Sequence, residues 1–313
     1  MNVFTTDAFL DTAGACFFPG RDRRVELFRV EGRLLKLLVV DGRVIERMPF
    51  YDYPQPLDVA PAGEVKPLRY FPRTVVTTEP IEARTGPEAP GLLPSPYVDW
   101  TRFATWAEYE AWVKGRSGSH SGDPKRTRRR IERELGPVQF VLDDPRPEAF
   151  DATVRWKSSQ YVATGLTDMF AATANVTLFR ELHARGVLKV SALWAGTTLM
   201  ATHFGAHTDR RLAWWVPAYD PALGKYSPGK LLLEELMKAS HAAGDLEFDF
   251  LIGEEAYKFH FATHNRVIGP VGRPPLKVVP REEGKRQLKA LLERVPGAME
   301  FARQVKKRLQ QRG

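Results

Sequence analysis

The chain has 313 residues, 43% of them hydrophobic, enough for a real core and more in keeping with two domains than one. Its one cysteine, Cys16, excludes an internal disulfide and fits a reducing compartment. The net charge of +8 is uneven: residues 114–133 hold eight Lys/Arg against two acids, and residues 277–313 hold eleven against four.

Taken in order, residues 5–15 predict a short helix burying Phe9, Leu10 and Ala13. Alternating runs over 25–30 and 34–40 predict strands, and Asp41-Gly42 marks a hairpin to Val44 and Ile45. Residues 49–100, rich in proline and aromatics, predict rigid loops and edge strands of the kind that line sites. A helix over 105–114 precedes a Gly/Ser-rich linker, 115–122, where the domain boundary is expected. Asp123-Pro124 caps a basic helix, 125–135. A strand over 138–142, helices over 147–163 and 176–185, and strands over 187–194, 198–207 and 211–219 follow.

The stretch from Tyr226 to Lys258 organises the second half. Ser227 is the expected N-cap and Pro228 the first residue of a helix over 228–243, closed by Gly244. Pro228 and Gly229 leave little bulk at the first turn, so its free N–H groups, with Lys230 beside them, can receive an anion. The plain alternative is that Ser-Pro-Gly merely starts a helix. The run 246–252 alternates and predicts a strand with Asp249 among phenylalanines. That carboxylate is either an anchor held by backbone donors or a general base.

Three segments, Trp214–Pro221, Tyr226–Lys230 and Phe248–Lys258, resemble the BioF2-like or CelD-like acetyltransferases, a family related to the FemAB aminoacyltransferases. The resemblance is good over about 125–270, and Pro49–Leu57 resembles the substrate-side segment of such proteins. It implies an α/β (α+β) fold of two GNAT-like halves, each a mixed, mostly antiparallel sheet flanked by helices. Residues 1–122 would form the substrate-side half and 123–280 the acyltransferase domain, with a basic helix over 281–313. It also implies a donor site at Val216, Ala218, Tyr226, Ser227, Gly229 and Lys230, where an acyl-CoA or related acyl thioester would bind. Lys225 and Gly229 are present, but a second glycine of the usual acyl-CoA loop is replaced within Leu231-Leu-Leu.

Tyr257 and Lys258, like a similar pair in Fem-like enzymes, would serve the leaving group and the oxyanion, the plain alternative being an ion pair of Lys258 with Glu254 or Glu255. His203 is the reserve base, although a strand histidine is more often a satisfied core residue. The acceptor is expected to be a small-molecule amine. Two rivals stand beside this reading: a Fem-like enzyme using aminoacyl-tRNA, with the tRNA on the basic helix 125–133, and a non-catalytic ligand-binding protein on the same scaffold. Basic stretches are more often solvated faces than polyanion sites. His260 and His264, four apart, could share a helix face, but no metal site is expected without further ligands. The N-terminus has no basic-then-apolar pattern and no apolar run would span a bilayer, so a cytoplasmic protein without a membrane partner is expected.

Overall fold

The computed structural model describes residues 2–59, 62–84, 86–116 and 124–274. The linker expected over 115–122 lies mostly, and the basic helix over 281–313 wholly, outside the described residues. Helix α1 (Asp7–Phe17) starts where the Thr6 hydroxyl accepts the Phe9 N–H, and it buries Phe9, Leu10 and Ala13 as expected. Strands β1 (Arg23–Val30), β2 (Arg33–Val40) and β3 (Arg43–Val44) form a meander. At the second hairpin Asp41 and Gly42 both have positive φ, +47° and +74°, as a tight two-residue hairpin turn requires. Strand β4 (Val65–Pro67) adds to β1 in parallel, completing a four-stranded sheet of order β3-β2-β1-β4.

Among the described residues the second sheet has eight strands, drawn from both sides of position 122. Strands β5 (Tyr70–Pro80) and β6 (Leu93–Asp99) come first, followed by helices α2 (Trp106–Arg116) and α3 (Pro124–Leu135). Then come β7 (Val138–Val141), α4 (Pro147–Ala163), α5 (Thr173–Ala184), β8 (Leu188–Ala195), β9 (Thr198–Thr208) and β10 (Arg211–Tyr219). Helix α6 (Pro228–Ala242), β11 (Glu247–Asp249), α7 (Ala256–Phe261) and β12 (His264–Gly272) close the described chain. The spatial order is β5-β12-β6-β11-β10-β9-β8-β7, antiparallel throughout except for β10 beside β11. The architecture is thus mixed α/β with two mixed sheets flanked by helices, and the larger sheet takes strands from both sides of position 122.

Three differences from the sequence reading have physical causes. Strand β6 lies inside the sheet although it carries Pro94 and Pro96. Their carbonyls accept the N–H groups of Gly253 and Phe250, so their missing N–H groups point to the same side. There the neighbouring chain has already left strand geometry, and no ladder bond is lost. Secondly, β11 stops at Asp249 rather than running to 252. The Asp249 carboxylate accepts the Leu251 N–H at 2.9 Å, and Leu251 turns to φ +57°. Thirdly, His260 ends up in α7 and His264 in β12, so they share no helix face.

The large sheet is covered on both faces. Helices α1, α4 and α5 pack on one, with Phe150, Phe179 and Phe204 at the centre of that core. Helices α2, α3 and α6 pack on the other, over Leu193, Met200, Phe248 and Phe250.

Candidate active site

The ladder between β10 and β11 is three residues long, from Arg211 opposite Glu247 to Ala213 opposite Asp249. Beyond it the strands part. β10 is pushed by a bulge between Trp214 and Val216, while the other chain turns away at Leu251. The gap opens into a cleft of about 840 Å³ that passes from one face of the sheet to the other. Residues 214–219 form one edge and residues 250–252 the opposite one. Helix α4 supplies Lys157, Gln160 and Tyr161 from one face; α6 supplies Gly229, Lys230 and Leu233 from the other. Phe50 and Asp52 reach in from the N-terminal segment, and Tyr257 and Lys258 from α7.

The backbone is strained around this cleft. Among the described residues, four of the seven non-glycine residues at positive φ, Glu31, Asp41, Asp209 and Arg210, sit in hairpin turns. The other three, Phe50, Ser227 and Leu251, border the cleft or the helix start beside it, where such conformations persist because the surroundings over-determine them.

Of the donor-side residues, Val216, Ala218, Gly229 and Lys230 line the cleft. Ser227 is exposed, in a left-handed conformation, and its side chain does not cap the helix. Its carbonyl takes the Lys230 and Leu231 N–H groups instead, and Pro228 has none to offer. Gly229 carries the remaining first-turn N–H, and a Cβ placed there would meet the Tyr219 ring at 3.5 Å. Tyr226 is buried away from the cleft, its hydroxyl donating to Glu134 of α3 at 2.6 Å.

Among the proposed catalytic groups, Tyr257 and Lys258 line the cleft. The Trp214 indole N–H donates to the Tyr257 hydroxyl oxygen at 3.0 Å, leaving the phenolic proton free to point elsewhere. Burial pushes the Tyr257 phenol up to about 12, against the indole hydrogen bond, so it stays protonated. Lys258 is 5% exposed, far from the surface ion pair considered above, although it does pair with Glu255 at 3.1 Å. It also donates to the Ile252 carbonyl at 3.0 Å, which leaves one ammonium N–H uncommitted. A Cβ on Gly253 would crowd the Glu255 carboxylate and the Lys258 ammonium where they sit here.

Asp249 and His203 do not line the cleft. Asp249 is fully buried; besides the Leu251 N–H it faces Arg266 at 3.5 Å. Arg266 in turn pairs with Glu247, which also binds Arg211 at 2.8 Å. His203 is fully buried, stacked on Trp214 with ring centroids 4.6 Å apart. Its Nε2 accepts the Trp215 N–H at 3.0 Å, supplying the acceptor that the bulge removed from the ladder. Burial pushes the imidazole down to about 3, so it is neutral.

Sequence reasoning did not single out Asp52. It is half-buried at the cleft and accepts the Ile252 N–H at 3.3 Å. Burial pushes its carboxyl up to about 6, although that N–H and the Lys258 and Arg73 charges pull the other way. The segment Pro49–Leu57 resembles a substrate-side segment, but its aspartate is brought to the cleft wall only by a neighbour two hundred residues away. Among the described residues no cluster of three or more His, Cys, Asp or Glu could hold a metal, and no helix is long and apolar enough to cross a membrane.

Residues 119–259 match the family model described as "Acetyltransferase (GNAT) domain". A comparison with curated proteins by sequence gave no match. Among solved structures, FemX is similar with a TM-score of 0.53 at 8% identity, over 86% of this chain and 91% of that one. The C-terminal domain of a putative lysylphosphatidylglycerol synthetase from Agrobacterium fabrum is similar at 11% identity and a TM-score of 0.46, over 90% of this chain and 96% of that one. Residues 119–259 thus resemble a GNAT acetyltransferase domain, and the chain as a whole has a fold similar to that of FemX.

Proposed function

We propose that the protein is an N-acyltransferase that moves an acyl group from an acyl thioester of the acyl-CoA type to an amine, within the cleft between β10 and residues 250–252. The observation that carries this reading is the gap through the sheet, open to both faces, with an acid, a phenol and an ammonium on its walls. The thioester enters from the α6 face, its phosphates near the Gly229 N–H and Lys230 and its arm along Val216–Ala218. The amine enters from the α4 face, beside Asp52.

Direct transfer needs three things: a neutral amine, a stabilised oxyanion and a proton for the leaving sulfur. Asp52, held near neutrality, takes the proton from the ammonium. The freed lone pair attacks the acyl carbon, and the free Lys258 N–H steadies the oxygen that becomes negative. The carbon–sulfur bond breaks, the thiolate takes the Tyr257 proton, and the proton that the nitrogen sheds as the amide forms restores the phenol. Holding both substrates across one gap replaces a bimolecular encounter with a positioned one. Asp249 serves as the anchor that sets the turn at Leu251, not as the base.

Free-thiol release from acyl-CoA with an amine present, read on the wild type and on Asp52→Asn, tests the reading. Thiol release by the wild type that falls by on the order of 10²–10⁴-fold in the variant is expected. Absence of both CoA binding and thiol release in the wild type would sink it. An aminoacyl-tRNA donor on α3 is less well supported, because Arg128 already pairs with Glu132 and Glu235 and Arg130 pairs with Glu134.

A further inference from the structure

The α4 face of the cleft presents two opposite charges with no charged partner of their own. Lys157 is half-buried there, and its ammonium donates to the neutral Gln160 amide at 2.9 Å. Lys36, Lys66, Lys189, Lys238 and Lys258 each have a carboxylate within 3.1 Å. Among the described residues none lies within 4.0 Å of Lys157. Burial lowers its affinity for a proton, helped by the neighbouring Lys258 charge and opposed by Glu255. Glu255 is already engaged by Lys258. Asp52 is the mirror case, with no cation within 4.0 Å among the described residues and one backbone N–H as its donor. Half-buried charges cost free energy unless something pairs with them, and here both open onto the same cavity. Between and around them the walls are apolar: Phe50, Tyr161, Trp215 and Leu251.

We propose that the acceptor is an amine carrying its own carboxylate, with Asp52 receiving the ammonium and Lys157 the carboxylate. This rests on the acyl-transfer reading for the identity of the pocket, but it concerns recognition rather than chemistry. Each group alone would bind an ion of the opposite sign. Together they select a zwitterion and reject an amine of the same shape lacking the acid. Lys258 and Lys230 do not fill this role. The first is committed to Glu255 and Ile252, and the second stands at the α6 opening on the donor side.

The test uses the full-length protein and a panel of amino acids whose amine–carboxylate spacing runs from leucine to 6-aminohexanoate. Each is compared with its own carboxamide. Binding is followed by tryptophan fluorescence, since Trp214 and Trp215 line the cleft, and thiol release from acetyl-CoA is followed in parallel. At least one acid should bind on the order of 10–100-fold more tightly than its amide, the range of a charge-assisted hydrogen bond. Lys157→Gln should abolish that preference through the acid's KM and not through kcat, while Lys157→Arg should retain much of it. Equal binding of acid and amide, no binding of any acid, or an equal loss for both in Lys157→Gln would overturn the inference. Thiol release without preference sinks this proposal and leaves acyl transfer standing. A Lys157-dependent preference without any thiol release supports the zwitterion site and counts against the transfer reaction.

Discussion

Two groups of charges lie on either side of Leu251, and they are built on opposite principles. On one side Asp249, Arg266, Glu247 and Arg211 sit in the sheet, each with an oppositely charged partner. Arg266 also lies over the Tyr97 ring at 3.7 Å, and Arg211 binds the Gln55 side chain. On the other side Asp52 and Lys157 face the cleft without charged partners. A closed network spends its electrostatics on architecture: it ties β10, β11 and β12 to the segment carrying Asp52. An open pair keeps its electrostatics for a ligand. One backbone residue joins the two. Asp249 fixes the turn, and Ile252 then donates its N–H to Asp52 while its carbonyl accepts from Lys258. An acid buried in a strand reads equally as an anchor or a base in sequence; in space its carboxylate holds the turn whose Ile252 N–H reaches the acid that lines the cleft.

The largest effect should come from breaking the open side. Asp52→Asn should lower turnover by on the order of 10²–10⁴-fold, as expected for loss of a general base. Wild-type activity should rise with pH through about 6, because the base works only when deprotonated. Stability should move the other way. A carboxyl whose folded pKa is raised makes the folded state the better proton binder, so stability is lost as pH climbs from the usual carboxylate range through about 6. Asp52→Asn should thus raise Tm at pH 8 and leave it nearly unchanged at pH 4. Thermal melts at both values check the sign.

Breaking the closed side should do the reverse. Asp249→Asn should cost stability, about 1–3 kcal/mol for a buried group left poorly satisfied, read as a lower Tm in thermal melts. Activity per folded molecule should drop less than in Asp52→Asn, because Ile252 loses its placement but the base remains. A loss of activity in Asp249→Asn as large as in Asp52→Asn, with no change in Tm, would return the role of base to Asp249. A smaller effect is expected from Tyr257→Phe: a loss of about tenfold in thiol release, below the usual range for acid catalysis, because solvent can also protonate a thiolate.

Much of the framework was legible because its signals are local. Helix 147–163 and strand 211–219 were read at their observed bounds, and α5, α6, β8 and β9 within a residue or three. Periodicity, Pro228 and the glycines carried them. Strand β12 was missed because polar Asn265 and Arg266 are buried in it beside Val267, Ile268 and Val271, and their partners, the Ser95 N–H and Glu247, lie elsewhere in the chain. A period-two hydrophobic pattern cannot show there. The interior place of β6 was hidden by two prolines whose harmlessness depends on a turn at Leu251. The cleft-lining residues Val216, Ala218, Gly229 and Lys230 and the Tyr257-Lys258 pair lie close together in sequence and were readable there. Asp52 was not, since its shifted acidity comes from burial under α4 and beside residues 250–252.

The smallest effect should come from His203, the third ionisable group near the gap and the one that separates the two kinds of charge most sharply. It is neutral, closed off and engaged by a backbone N–H. His203→Gln keeps an acceptor for the Trp215 N–H but loses the stacking on Trp214. The expected cost is about 1 kcal/mol, an ordinary value for a single substitution, with kcat changed by less than about threefold. Because its folded pKa is depressed, the wild type should lose this residue's contribution to stability as pH falls from about 6.5 toward about 3. The variant should lack that part of the acid sensitivity. Its pH–rate profile should keep the wild-type acid limb near 6, since that limb belongs to Asp52. If the limb vanishes in His203→Gln and persists in Asp52→Asn, the imidazole reaches the amine in a conformation other than this one, and the division between closed and open charges fails at its central point.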